Sequence, residues 1–125
     1  MKKILLAEDD RPISNTLANK LKRHDFEVLQ APNGKEALKM IKTDKPDLVL
    51  LDLIMPIMDG FTVLENLKKE NLIKKTPIIV FSNLGQKSDI EKVEALGVKN
   101  YLVKSDMSLN DVIGKINEVL SGDKK

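Results

Sequence analysis

Apolar residues occur along this chain in two alternating patterns. Short runs, apolar at nearly every position, alternate with longer segments whose apolar residues recur every three or four positions. The first pattern is that of strands covered on both faces, and the second is that of helices with one buried stripe. Residues 3–7 make the first run. Ile13, Leu17 and Leu21, with Ala18 beside them, mark a helix over 12–23. Pro12 suits the first helical position, and Asp10 has the chemistry of the cap before it. Phe26 is placed to pack under the helix exit. A second strand spans 27–31 around Val28 and Leu29. Asn33-Gly34 signals a turn, and Ala37, Leu38 and Ile41 carry a helix over 34–43. A third strand covers 47–52 and a third helix 59–69, with Val63, Leu64 and Leu67 inward. Pro77 opens a fourth strand, Ile78-Ile79-Val80-Phe81, with Ser82-Asn83 at its carboxyl end. A weaker helical pattern over 86–95 turns Ile90, Val93 and Leu96 inward and stops at Gly97. Val98 to Val103 form the fifth strand, more polar at its start as an edge strand can be. Ser105 or Ser108 caps a last helix carrying Val112, Ile113, Ile116, Val119 and Leu120.

This fivefold alternation predicts one doubly wound α/β domain with a parallel sheet and right-handed crossovers. In such a sheet all carboxyl ends share one edge, where ligands bind. Asp9, Asp52, Ser82 and Lys104 lie just past strand ends and so converge on one polar crevice. Asp47-Leu48-Val49-Leu50-Leu51-Asp52-Leu53-Ile54-Met55-Pro56-Ile57-Met58-Asp59-Gly60 is the organising stretch. A carboxylate buried inside its apolar run would be costly. At the strand end Asp52 is instead expected to stand unburied in the crevice, as a site residue rather than a solvated loop residue.

Composition narrows the chemistry. The 125 residues suit a single core. The net charge of +2 is too small to argue for nucleic acid. With no cysteine, disulfides, thiolate metal sites and thiol catalysis are excluded, and a reducing, cytoplasmic setting is expected. The apolar part of Met1–Ala7 is too short for a secretory leader, and no run is long enough to span a membrane. Two or three carboxylates at one edge need a positive partner, which can be a divalent cation or the Lys104 ammonium. Oxygen ligands alone, with His24 remote, favour magnesium over zinc. Magnesium, a lysine and a hydroxyl beside a carboxylate can hold a phosphoryl group, and the carboxylate itself can carry it as an acyl phosphate. Taken singly the residues have plainer readings: Glu8-Asp9-Asp10 as a capped helix start, Lys104 as a surface residue, Tyr101 as edge-strand packing.

Taken together, Ile4-Leu5-Leu6-Ala7-Glu8-Asp9-Asp10, the strand ending in Asp52, Met55-Pro56 with Asp59-Gly60, Val80-Phe81-Ser82, and Gly97 through Lys104 resemble the receiver domain of two-component response regulators. The resemblance covers essentially the whole chain, with the domain over 1–121 and a polar tail over 122–125. It implies a (βα)5 three-layer sandwich with strand order 2-1-3-4-5. It also implies Asp52 as phosphoacceptor, with Mg2+ held by Glu8, Asp9, Asp52 and the backbone carbonyl of Ile54. Lys104 and Ser82 would bind the phosphoryl oxygens, and Ser82 with Tyr101 would act as the switch. The upstream partner would be a histidine kinase or phosphotransfer protein, and the downstream protein partner would use the 86–120 face. No direct contact with nucleic acid or membrane is expected. The state would be monomeric, or a phosphorylation-dependent homodimer.

The sequence departs from the family pattern at three places. Ser105 stands where a proline usually follows the lysine, often through a cis bond that costs about 2.5–4 kcal/mol without proline. Asn83 is bulkier than the small residue common there. Ile54 puts an apolar side chain where a polar one could guide water. The first leaves the loop either trans and rearranged or strained, and the other two predict slow autodephosphorylation. The competing readings are a receiver-like interaction module that works without phosphorylation, an aspartyl-phosphate hydrolase and a flavodoxin-like binder. The hydrolase reading lacks the second acid two residues past the nucleophile, where Ile54 stands. The flavodoxin-like reading lacks a glycine- or hydroxyl-rich first turn.

Overall fold

The computed structural model describes residues 1–122; the end of the polar tail, 123–125, lies outside the described residues. Five strands and five helices alternate: β1 Lys3–Ala7, α1 Arg11–Arg23, β2 Glu27–Ala31, α2 Gly34–Asp44, β3 Leu48–Leu51, α3 Gly60–Lys69, β4 Ile78–Ser82, α4 Lys87–Ala95, β5 Asn100–Val103 and α5 Leu109–Leu120. The sheet is parallel with order β2-β1-β3-β4-β5. Short 3-10 turns at Ile73–Lys75 and Lys104–Asp106 were not foreseen.

Period-two alternation explains why the central strands are apolar throughout. Leu5, Val49, Leu51, Ile78 and Val80 face one layer, packed against Ala37 and Ile41 of α2, Val63, Leu64 and Leu67 of α3, and Val93 of α4. Ile4, Leu6, Leu48, Leu50, Ile79 and Phe81 face the other, against Leu17, Ala18 and Leu21 of α1 and Val112, Ile113 and Ile116 of α5. Both faces are covered, so no position in these strands can be polar without a partner.

Caps set the helix starts. Asp10 Oδ1 accepts from the Ile13 N–H at 3.1 Å, and Asp59 Oδ1 from the Thr62 N–H at 2.8 Å. Asn33 caps α2 through the Glu36 N–H, so Asn33-Gly34 is a helix start and not a free turn. Ser108, not Ser105, caps α5, in a reciprocal box with Asp111. Gly97, at φ +103°, ends α4: its N–H and that of Val98 reach back to the Glu94 and Val93 carbonyls. That turn occupies 96–99, so β5 begins at Asn100 rather than Val98. On α4 only Val93 is fully buried, while Ile90 and Leu96 are half-buried. Phe26 is buried below α1 as expected.

Candidate functional site

Register and alternation decide which side chains meet at the carboxyl edge. Ala7 pairs with Leu51, and Leu51 with Val80, so Glu8, Asp52 and Phe81 stand one step further at a common level. The backbone continues the ladder there: the Asp52 N–H donates to the Ala7 carbonyl and the Glu8 N–H to the Ala31 carbonyl, both at 3.0 Å. Alternation turns Glu8 and Asp52 to the same face as Ile4, Leu6, Leu48 and Leu50. Phe81 and Leu102 share that face. Lys104, two residues past Leu102, extends over the Phe81 ring, with its Nζ 5.7 Å from the centroid. It ends between two carboxylates, donating to Glu8 Oε1 and, at 3.0 Å, to Asp52 Oδ2.

Asp52 is therefore buried, only 6% exposed, contrary to the expectation of an unburied crevice residue. Glu8 is equally buried. The cause is the overlying Lys104 ammonium, which makes burial of two anions tolerable. Asp52 Oδ1 also accepts weakly from the Ile54 N–H at 3.3 Å, and Glu8 Oε2 from the Asp10 N–H at 3.2 Å. Burial raises the Glu8 carboxyl above its ordinary 4.5; the nearby Asp52 charge adds to this, and the Lys104 hydrogen bond partly offsets it. Burial pulls the Lys104 ammonium down, but its bonds to Glu8 and Asp52 outweigh that and leave it above 10.5. Lys104 is thus a fixed cation.

Glu8, Asp9 and Asp52 each bring a carboxylate oxygen within 4.8 Å of the others. Asp9 faces solvent while the other two are buried. This donor set, all oxygen with one open side, fits a hard divalent cation such as Mg2+. Asp10 stays outside the cluster, as a cap. The Ile54 side chain is 58% exposed beside the site.

Ser82 has the opposite parity and lies on the α4 side of the sheet. It is fully buried, and among the described residues no hydrogen bond joins it to Asp52 or Lys104. Its hydroxyl instead faces the Leu84 N–H at 3.4 Å. The Leu84 carbonyl in turn accepts from the Tyr101 hydroxyl. Burial raises that hydroxyl above 10.0, and the charges of Asp89 and Asp52 add to the effect. Leu84 thus links Ser82 to Tyr101, a role that sequence pattern could not show because it uses only backbone atoms. The Lys104-Ser105 bond is trans, within the short 3-10 turn. Asn83 is exposed in the loop beyond Ser82.

Comparison with known proteins agrees with this geometry. The family described as Response regulator receiver domain matches residues 4–117. The PhoP transcriptional regulatory protein for alkaline phosphatase synthesis of Bacillus subtilis is 40% identical over 72 residues, 58% of this chain and 30% of its own length. A probable transcriptional regulator of Galdieria sulphuraria, ycf27, is 41% identical over 83 residues, 66% of this chain and 31% of its own. The chain thus spans about a third of these relatives. Among solved structures, the receiver domain of the Francisella response regulator 1452 superposes with a TM-score of 0.89 at 31% identity, covering 99% of this chain and all of that one. A CheY-like receiver domain protein from Methanospirillum hungatei superposes at 0.88 with 26% identity, covering 97% of this chain and 94% of that one. Sheet order, edge chemistry and family description agree over nearly the whole chain, and this protein belongs to the CheY-like response regulator receiver domains, switches that gain and lose a phosphoryl group rather than turn over a substrate.

Proposed function

We propose that residues 1–121 form the signalling unit and that Asp52 is its phosphoacceptor. The observation that carries this is Lys104 Nζ seated between Glu8 and Asp52, beside the open side of the acidic cluster. An Asp52 carboxylate oxygen attacks the phosphorus of a phosphohistidine donor. The new O–P bond forms as the donor's P–N bond breaks, and that electron pair returns to the imidazole nitrogen. Glu8, Asp9, Asp52 and the Ile54 carbonyl would hold Mg2+, which when bound neutralises charge on the transferring oxygens. Once Asp52 carries the phosphoryl group as an acyl phosphate, Lys104 loses one carboxylate partner and turns to the phosphoryl oxygens.

The Ser82 hydroxyl leaves the Leu84 N–H for the third oxygen. That loosens Leu84, on which the Tyr101 hydroxyl is anchored, and shifts an existing equilibrium of the 86–120 face toward the partner-binding state. Family membership implies a histidine kinase or phosphotransfer protein upstream. The output is a downstream protein partner or a second copy docking on the 86–120 face. Among the described residues no helix is long and apolar enough to cross a membrane. Exposed Ile54 and Asn83 at the mouth of the site offer no carboxylate to activate water, so the acyl phosphate persists well beyond seconds.

Intact mass after incubation with acetyl phosphate and Mg2+ tests the assignment. The native chain gains one phosphoryl group only with Mg2+, and Asp52→Ala gains none. A gain that persists in the variant overturns Asp52 as nucleophile. No gain in the folded native chain, even from a phosphohistidine donor, points instead to an interaction module.

A further inference from the structure

The loop from Asp52 to Asp59 is pinned at three points. Met55 is buried in the layer beneath α2 and α3. The Gly60 N–H donates to the Leu53 carbonyl at 2.9 Å and closes the loop on itself. The third pin comes from another element: the Gly34 N–H, in the first residue of α2, donates to the Met58 carbonyl at 2.9 Å. Only glycine permits that approach. A β-carbon on Gly34 would lie 2.1 Å from the Met58 oxygen, 2.8 Å from its carbonyl carbon and 2.9 Å from Val63 Cγ2. Two of those three atoms are backbone and cannot swing aside.

Next to this pin the backbone is strained. Ile57 has φ +69°, and the Met58 N–H donates to the Pro56 carbonyl at 2.7 Å, closing a γ-turn. A β-branched residue rarely adopts that conformation, and such strain persists only where the surroundings over-determine the backbone. The clamp on Met58 supplies that constraint one residue away. The other end of the same loop is the Ile54 peptide, whose N–H meets Asp52 Oδ1. A shift of the loop therefore moves the Ile54 peptide against the Asp52 carboxylate.

We propose that Gly34 is a positioning residue for the phosphoacceptor site. By holding the Met58 carbonyl, the first turn of α2 sets the loop that presents the Ile54 peptide, and with it the affinity for a divalent cation. The inference rests on the metal site proposed above. Gly34 has no ligand atom of its own and lies 18 residues before Asp52.

Amide spectra of the native chain titrated with MgCl2, with calorimetry on Gly34→Ala and Ala37→Gly, test it. Ala37 is buried on the same helix, and glycine there weakens α2 while leaving the Gly34 N–H and the Met58 carbonyl that it meets unaltered. The Gly34 amide is expected to shift with the same midpoint as those of Ile54 and Asp52, while the Gly114 amide on α5 stays still. Gly34→Ala is expected to weaken Mg2+ binding about tenfold, the low end for groups that orient metal ligands. Ala37→Gly is expected to lower the melting temperature and leave Mg2+ affinity unchanged. A stationary Gly34 amide, or native Mg2+ affinity in a folded Gly34→Ala, overturns the inference. If Gly34→Ala does not fold, the native titration decides alone. If the Ile54 and Asp52 amides also stay still and calorimetry shows no heat, the metal site itself falls, and the positioning role with it.

Discussion

Replacing Lys104 with methionine tests the electrostatic core of the site. Methionine keeps an unbranched stem over Phe81 and removes only the ammonium, so Glu8 and Asp52 remain as two buried anions without a cation. The three side chains are 12%, 5% and 7% exposed, which makes this a buried rather than a surface interaction. At the observed 3.0 Å, one pair interacts by about 5 kcal/mol at an effective dielectric of 20. Part of that is returned because the ammonium no longer needs desolvating, and breaking a buried pair typically costs ~3–5 kcal/mol. A loss of about 3 kcal/mol at pH 7 is therefore expected, which is roughly 10 °C in melting temperature for a domain of this size.

Urea unfolding followed by far-ultraviolet circular dichroism, without and with millimolar Mg2+, reads the effect. Mg2+ restores most of the loss in the variant, because a cation again sits among the carboxylates. Adding Asp52→Asn also restores much of it, by removing one of the two anions. The pH dependence has a definite sign. The Glu8 carboxyl is held above its unfolded 4.5 by burial, so the folded state binds its proton more tightly and gains stability as pH falls through that raised value. Without Lys104 the shift grows, and the variant recovers toward the native protein on mild acidification. A loss under about 1 kcal/mol, the size of an exposed pair, that ignores both Mg2+ and Asp52→Asn would refute the reasoning.

Three further outcomes are expected. Ile57 is 76% exposed at positive φ, so Ile57→Gly removes strain of about 1–2 kcal/mol against little lost burial. The net gain, after glycine's extra chain entropy, is roughly 0.5–1 kcal/mol, and an unchanged or lower urea midpoint contradicts it. Gly60→Ala places a β-carbon 2.3 Å from the Asp52 carbonyl oxygen and 2.8 Å from the Leu53 α-carbon. Backbone must move, so a loss of about 2–3 kcal/mol together with impaired phosphorylation is expected, and native behaviour in both measurements would show the loop to be pliable. Asp111 is held below its ordinary 3.8 by its bond with the Ser108 N–H, so its contribution is present above 3.8 and disappears as pH falls through the lowered value. Asp111→Asn should lower the unfolding midpoint near neutrality and leave it unchanged in strong acid; an equal drop at both pH values would assign the effect to lost geometry.

The order of elements was legible because it is written in local pattern. Runs such as Leu48-Val49-Leu50-Leu51 and Ile78-Ile79-Val80-Phe81 are short and apolar on both faces, as twice-covered strands are, and Pro12 and Gly97 mark helix ends by their own chemistry. The turn before β5 was misplaced by two residues because Val98 is apolar and buried without pairing in the sheet. The polar edge was legible for the same topological reason: a parallel sheet gathers its carboxyl ends on one edge, so Asp9, Asp52, Ser82 and Lys104 were expected there, while Glu8 came from the family resemblance.

How these neighbours are arranged depends on atoms distant in the chain. The side-chain parity of one strand relative to the next, set by register, puts Glu8, Asp52 and Lys104 on one face and Ser82 on the other. The burial of Asp52 follows from a lysine 52 positions away and could not be read from its own segment. The link from Ser82 through Leu84 to Tyr101, and the clamp of Gly34 on Met58, use backbone groups whose spacing has no signature in residue type. Local propensity thus determined the strands, helices and polar edge of this protein, because those depend on residues a few positions apart. Pairings, burial and strain at that edge were decided by packing, because each arises from contact between segments that the chain itself keeps far apart.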